Sequence, residues 1–117
     1  MTFVVDASVA VAWVFEDERT PETDRWLDLL TATRAVVPAH WSLEVANVII
    51  RGARAKRIAA RSVRETLALL GALPLQVDDA TADAALARTA EVAMRYGLTT
   101  YDAAYLELAE RLALPLE

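Results

Sequence analysis

Short runs of branched and aromatic apolar residues alternate along this chain with longer stretches in which apolar positions recur every three or four residues. The first run, Phe3-Val4-Val5, ends on Asp6. Unbroken apolar runs of this kind suit parallel strands buried on both faces. Ala7 to Phe15 reads as a first helix, and Glu16, Asp17 and Glu18 as a solvated acidic turn. Thr20-Pro21 marks the next helix start, with the hydroxyl as N-cap and proline at the first helical position. That helix carries Trp26, Leu27, Leu29 and Leu30. Ala35-Val36-Val37, stopped by Pro38, predicts a second strand. A long helix follows from about Trp41 to Arg54. Leu43, Val45, Ala46, Val48, Ile49 and Ile50 cover most of its circumference, which predicts that it is largely buried, with Gly52 near its end.

Arg61 to Leu70 predicts a fourth helix, capped by Ser62 and ending near Gly71. Leu75-Gln76-Val77, after Pro74, is a third strand. Asp79 or Thr81 starts a fifth helix, Ala82 to Tyr96, which Gly97 ends as a left-handed cap. Leu98 to Asp102 opens a sixth helix running to about Leu112, and Leu114-Pro115-Leu116 begins a fourth strand. Strands alternating with helices predict a single three-layer α/β/α domain over residues 1–117. Its central parallel sheet would have about four strands, with about six helices around it.

Composition narrows the picture without changing it. The chain has 117 residues, 56% of them hydrophobic, enough for one packed core and too few for two. It has no cysteine, which excludes a disulfide framework and thiolate metal sites and fits a reducing, cytoplasmic location. The N-terminus lacks the basic stretch of a secretory signal, and no apolar run approaches membrane-spanning length. A net charge of −5 excludes broad nucleic-acid binding driven by charge alone. A local basic face remains open. Six of the twelve basic residues fall between Arg51 and Arg64, where no acid stands. Lys56 is the only lysine, so the positive groups are almost all guanidinium forks, which suit phosphate or carboxylate.

Three carboxylates sit where a charge is costly. Asp6 ends the first buried strand, at the sheet edge where open α/β folds bind ligands, although an N-cap would also place an acid there. Glu44 lies within the apolar Trp41–Ile50 stretch, with Asn47 and Arg51 on its own side of the helix. Asp102 stands in the first turn of the sixth helix, where Thr99-x-x-Asp102 resembles a capping box. Acids gathered in one place repel one another, and a hard cation such as Mg²⁺ or Mn²⁺ relieves the repulsion.

Three segments make this specific: Val4-Val5-Asp6-Ala7-Ser8-Val9, Trp41-Ser42-Leu43-Glu44-Val45-Ala46-Asn47, and Leu98-Thr99-Thr100-Tyr101-Asp102 continuing to Ala109. In order, spacing and flanking residues they resemble the three motif blocks of PIN-domain ribonucleases, and more narrowly the VapC toxins of toxin–antitoxin pairs. The likeness covers essentially the whole chain. It implies a parallel-sheet α/β/α fold and a Mg²⁺- or Mn²⁺-dependent endoribonuclease. Asp6, Glu44 and Asp102 would be its catalytic, metal-holding acids, with Ser8, Asn47 and Thr99 as supporting polar residues. It also implies an RNA substrate, a homodimer, and a small antitoxin that covers the site, often by presenting an arginine to the acids. The family usually continues through a strand carrying a fourth acid and a short final helix. This chain stops at Glu117, a few residues before that acid, so the C-terminal strand and helix are expected to be missing.

Other features have ordinary explanations. His40, the only histidine, reads as structural or solvent-facing. Trp13, Trp26 and Trp41 read as core or interface anchors. Arg51, Arg54 and Arg57 are candidate RNA contacts, and a solvated helix–turn–helix corner accounts for them equally well. Two other functions stay open. One is a catalytically weak or inactive PIN domain that binds RNA or protein. The other, a phosphotransfer domain using Asp6, fits poorly. A phosphatase would need an acid where Ser8 stands, and a receiver domain would need a lysine elsewhere than Lys56.

Overall fold

The computed structural model describes residues 2–117. Its sheet has three parallel strands in the order β1 (Phe3–Val4), β2 (Ala35–Val37) and β3 (Leu75–Val77). Phe3 pairs with Ala35, and Ala35 with Leu75. The expected fourth strand is present as a single parallel bridge between Val4 and Leu116 on the other side of β1. Three backbone bonds hold it: Val4 N–H to the Pro115 carbonyl (2.9 Å), Glu117 N–H to that of Val4 (2.8 Å) and Asp6 N–H to that of Glu117 (2.6 Å). Phe3, Val4 and Val5 have no exposed surface, as a strand flanked on both edges and covered on both faces requires.

The helices are α1 (Ala7–Ala12), α2 (Pro21–Ala32), α3 (Trp41–Arg54), α4 (Val63–Gly71), α5 (Thr81–Ala84), α6 (Ala90–Tyr96) and α7 (Thr100–Leu112). A π-helical segment, Ala85–Thr89, joins α5 to α6 without a break, so residues 81–96 form the one helix expected there. The connections from β1 through β2 to β3 carry α1 to α4, with α3 packed against α1 and α4, and the right-handed crossover rule for parallel strands lays such helices on one face. The return to the far side of β1 brings α7 onto the other face, with α6 packed outside it.

The local signals explain most element ends. Thr20 and Thr23 form a reciprocal capping box with Pro21 following, and Gly97 closes α6 at φ 66°. Thr99 accepts a hydrogen bond from the Asp102 backbone N–H at the start of α7. The first helix stops at Ala12, short of Phe15, because Trp13 turns inward and donates its indole N–H to the Thr23 carbonyl at 2.7 Å. Ser62 makes no side-chain cap, and a 3₁₀ turn over Ala60–Ser62 leads into α4 instead. The fifth helix starts at Thr81, whose hydroxyl donates to the Asp78 carboxylate at 2.8 Å, so the anchoring acid is Asp78 and not Asp79.

The long helix α3 is not largely buried. Only Trp41, Val45, Ile49 and Gly52 are buried, a single stripe at helical spacing, and Leu43 is 76% exposed. A helix laid on a sheet buries one stripe, however apolar its other sides are. Gly52 belongs to that stripe because a β-carbon there would lie 3.1 Å from the Phe15 ring.

A buried charge cluster fastens the end of β3 to the end of α7. Arg111 donates to both Asp78 oxygens (3.0 and 2.8 Å) and to both Glu107 oxygens, and the two acids are nearly inaccessible. Arg111→Met should therefore cost about 3 kcal/mol of unfolding free energy, since it strands two buried carboxylates, and chemical denaturation measures this. The Arg111 hydrogen bonds outweigh burial and lower the Asp78 pKa, helped by Thr81 and the Ala80 backbone. A lowered folded pKa means that this stabilisation is complete above the ordinary carboxylate pKa of 3.8 and fades as pH falls through the folded value. Asp78→Asn should remove that acid-side loss from the stability–pH curve.

Candidate functional site

Asp6 and Asp102 come from opposite ends of the chain and line one cavity of about 380 Å³ at the carboxyl end of β1, together with Tyr105 and Glu117. Leu98, Leu106 and Leu116 supply its apolar wall. Asp6 occupies the N-cap position of α1, yet its carboxylate makes no cap bond. One oxygen accepts the Ser8 hydroxyl at 2.9 Å. Its position is thus that of a cap and its carboxylate is turned to other use. Asp102 is exposed on the first turn of α7, and the box with Thr99 is half made: Thr99 caps the Asp102 N–H.

Glu44 does not line this cavity and reaches it through Tyr105. The Tyr105 hydroxyl donates to Glu44 Oε1 at 2.8 Å. His40 Nε2 lies 2.9 Å from the same oxygen and 3.0 Å from the Tyr101 carbonyl. Both neighbours are acceptors, so Nε2 carries the hydrogen. Glu44 Oε1 is held from two sides. Burial pushes the Tyr105 phenol well above its usual pKa, reinforced by the Glu44 hydrogen bond and the charges of Glu44 and Asp6. Tyr105 is therefore a permanent donor at physiological pH. Asn47 and Arg51 follow Glu44 along α3 and are exposed, as is Arg54. Arg57 is committed elsewhere. It bonds Asp17 (2.9 Å) and Glu18 (3.0 Å) and stacks on Phe15 at 4.2 Å.

Sequence reasoning gave three neighbours of the acids, His40, Tyr105 and Glu117, no role in the site. His40 was legible only as the residue four before Glu44 on one helix face, and Tyr105 as the residue three after Asp102. Glu117 shares the cavity because residues 115–117 pair with β1. Its carboxyl is pushed above the usual range by burial and the nearby Glu22 charge, partly offset by Arg25.

The donor set facing the cavity is all oxygen. Among the described residues no three His, Cys, Asp or Glu side chains converge to hold a metal ion. A hard cation such as Mg²⁺ asks for less, commonly one or two carboxylates with water and substrate phosphate completing the shell. Asp6 and Asp102 fit that requirement.

Parallel α/β topology, a carboxylate after the first strand and a second at the start of the last helix define a small acidic-site α/β domain. Comparison with known families matches the PIN domain over residues 3–116, and the chain belongs to the PIN-domain family. PIN domains are generally nucleases and typically use divalent metals. Comparison with curated proteins finds no match. No helix among the described residues is long and apolar enough to cross a membrane.

If Tyr105 is the buried donor to Glu44, alkaline absorbance titrations of wild type and Tyr105→Phe should superimpose until the fold is lost. A phenolate present in wild type and missing from the variant at milder pH would show that the hydroxyl is free.

Proposed function

We propose that this chain is a divalent-metal-dependent endoribonuclease and the toxin of a toxin–antitoxin pair. The observation that carries the reading is that Asp6 and Asp102, ninety-six positions apart in the chain, line one cavity, with Glu44 tied to it by Tyr105. Family membership supports nuclease chemistry. The sequence resemblance supports the toxin role, a homodimer, and an antitoxin that covers the acids with an arginine, since a guanidinium competes for the same carboxylates as a metal.

In this reading Asp6, Asp102 and Glu44 would hold Mg²⁺ or Mn²⁺. When bound, such an ion acidifies water and neutralises charge developing on a phosphodiester. The remaining work falls to the chain. Ser8 orients the Asp6 carboxylate. Tyr105 and His40 hold Glu44 Oε1, so Oε2 is the oxygen that would serve the ion or take a proton. Thr99 fixes the first turn of α7 and so the place of Asp102, and Asn47 lies one turn beyond Glu44. Arg51 and Arg54 would take RNA phosphates beyond Asn47, while Arg57 serves the acidic turn.

A second reading, a weakly active or inactive PIN domain that binds RNA or protein, is favoured by the lack of three converging acids among the described residues. Cleavage of a structured RNA pool with Mg²⁺, with Mn²⁺ and with chelator separates the two. The toxin reading expects metal-dependent cutting that Asp6→Asn reduces by at least about a hundredfold, a loss of about 2.7 kcal/mol of transition-state stabilisation. Equal cutting by variant and wild type would sink it. Calorimetric Mg²⁺ binding that disappears in Glu44→Gln would count against the binding-only reading.

A further inference from the structure

Between His40, the π-helical segment and the start of α7 lies a second and smaller cavity of about 150 Å³. Its walls come from His40, Tyr101, three threonines (Thr81, Thr89 and Thr100) and the π-helical segment. No carboxylate and no guanidinium lines it. Its lining therefore offers a phosphate no guanidinium and a cation no carboxylate. The volume corresponds to about five waters of liquid, well beyond a single structural water.

Two of its hydroxyls differ from the third. Thr81 is spent, accepting from the Ala39 N–H at 3.0 Å and donating to Asp78. Thr89 is only 3% exposed as a whole, yet its hydroxyl, which no hydrogen bond to a described residue occupies, is not closed off: the buried unpartnered side-chain atoms among the described residues are the Trp26 and Trp41 indole nitrogens. Thr89 is the last residue of the π segment, a local geometry often found at functional sites. The imidazole of His40 and the ring of Tyr101 meet edge to face at 5.9 Å beside it.

Aromatic edges, threonine hydroxyls and the lack of a carboxylate or guanidinium suit a flat, uncharged occupant able to give and take hydrogen bonds on its rim. His40 also touches Glu44, so the slot adjoins the candidate catalytic acids. We propose that this slot receives one unpaired nucleobase of the RNA strand next to the bond being cut, and that Thr89 and Thr100 read its edge. Single-stranded RNA is recognised in this way, by splaying out a base, stacking it and hydrogen-bonding its edge. The inference rests on the endoribonuclease reading for the identity of the strand. It adds the element that gives the enzyme a base preference.

The test is a titration of the metal-free protein with four short single-stranded homopolymers, one for each RNA base, followed by NMR of the threonine methyl groups and backbone amides. Thr89→Val keeps the side-chain shape and removes the hydroxyl. The expected result is base-dependent shifts at His40, Thr89 and Thr100. The preferred homopolymer should bind Thr89→Val roughly three- to tenfold more weakly, the value of one neutral hydrogen bond, at an unchanged melting temperature. Shifts that ignore base identity, or that spare the slot, overturn the proposal. So does metal-dependent cleavage whose sequence profile is the same in Thr89→Val and wild type. Wild-type protein that fills the slot with a base and cuts nothing would sink the nuclease reading and leave the slot standing.

Discussion

The structure depends on β1 being paired on both edges. Phe3, Val4 and Val5 are wholly buried, so every peptide group in them needs a partner within the protein. β2 supplies partners on one edge and residues 115–117 on the other. The chain leaves β1 toward β2 and comes back to its opposite side after all the helices. Open α/β sheets leave a crevice beyond the carboxyl ends of their strands, and here a cavity lies beyond β1. Asp6 is the next residue. Its carboxylate faces the crevice because topology opens a space where a cap would otherwise have closed one.

The last helix, α7, divides that region in two. One side carries Asp102 and Tyr105 toward Asp6 and Glu117, and the other carries Thr100 and Tyr101 toward His40 and Thr89. The first cavity is acidic, and no carboxylate or guanidinium lines the second. A helix that lines two such cavities has to be held at both ends. Thr99 and the His40 contact with the Tyr101 carbonyl hold its start, and Arg111 locks its end between Asp78 and Glu107. The buried cluster is far from the acids in role, yet it fixes the helix that aims one of them.

Much of this was legible in the chain. Local chemistry specifies the three strands, the Thr20-Pro21 start, the Gly97 stop and the Thr99 cap, and the three acids stood out through their motif segments. The misreadings share one cause. Apolar residues all round α3 suggested burial, but which stripe is covered depends on what packs against it, and Leu43 faces solvent. The first helix ends early because Trp13 finds a partner in Thr23, a contact across elements. Asp78 gave no local sign of its role, since Arg111 lies thirty-three residues away.

By itself the sequence determined the element types, most of their ends, the parallel α/β class and the candidate acids, because these follow from periodicity, backbone preference and short-range hydrogen bonding. Only the tertiary structure decided that Asp6 meets Asp102 in one cavity while Glu44 reaches it through Tyr105. It alone decided that His40 steadies Glu44, and that Thr89 is buried beside an empty space. Those relations are set by how strands cross and helices pack over long stretches of chain, where loop closure and burial govern which side chains meet and no local pattern records the outcome.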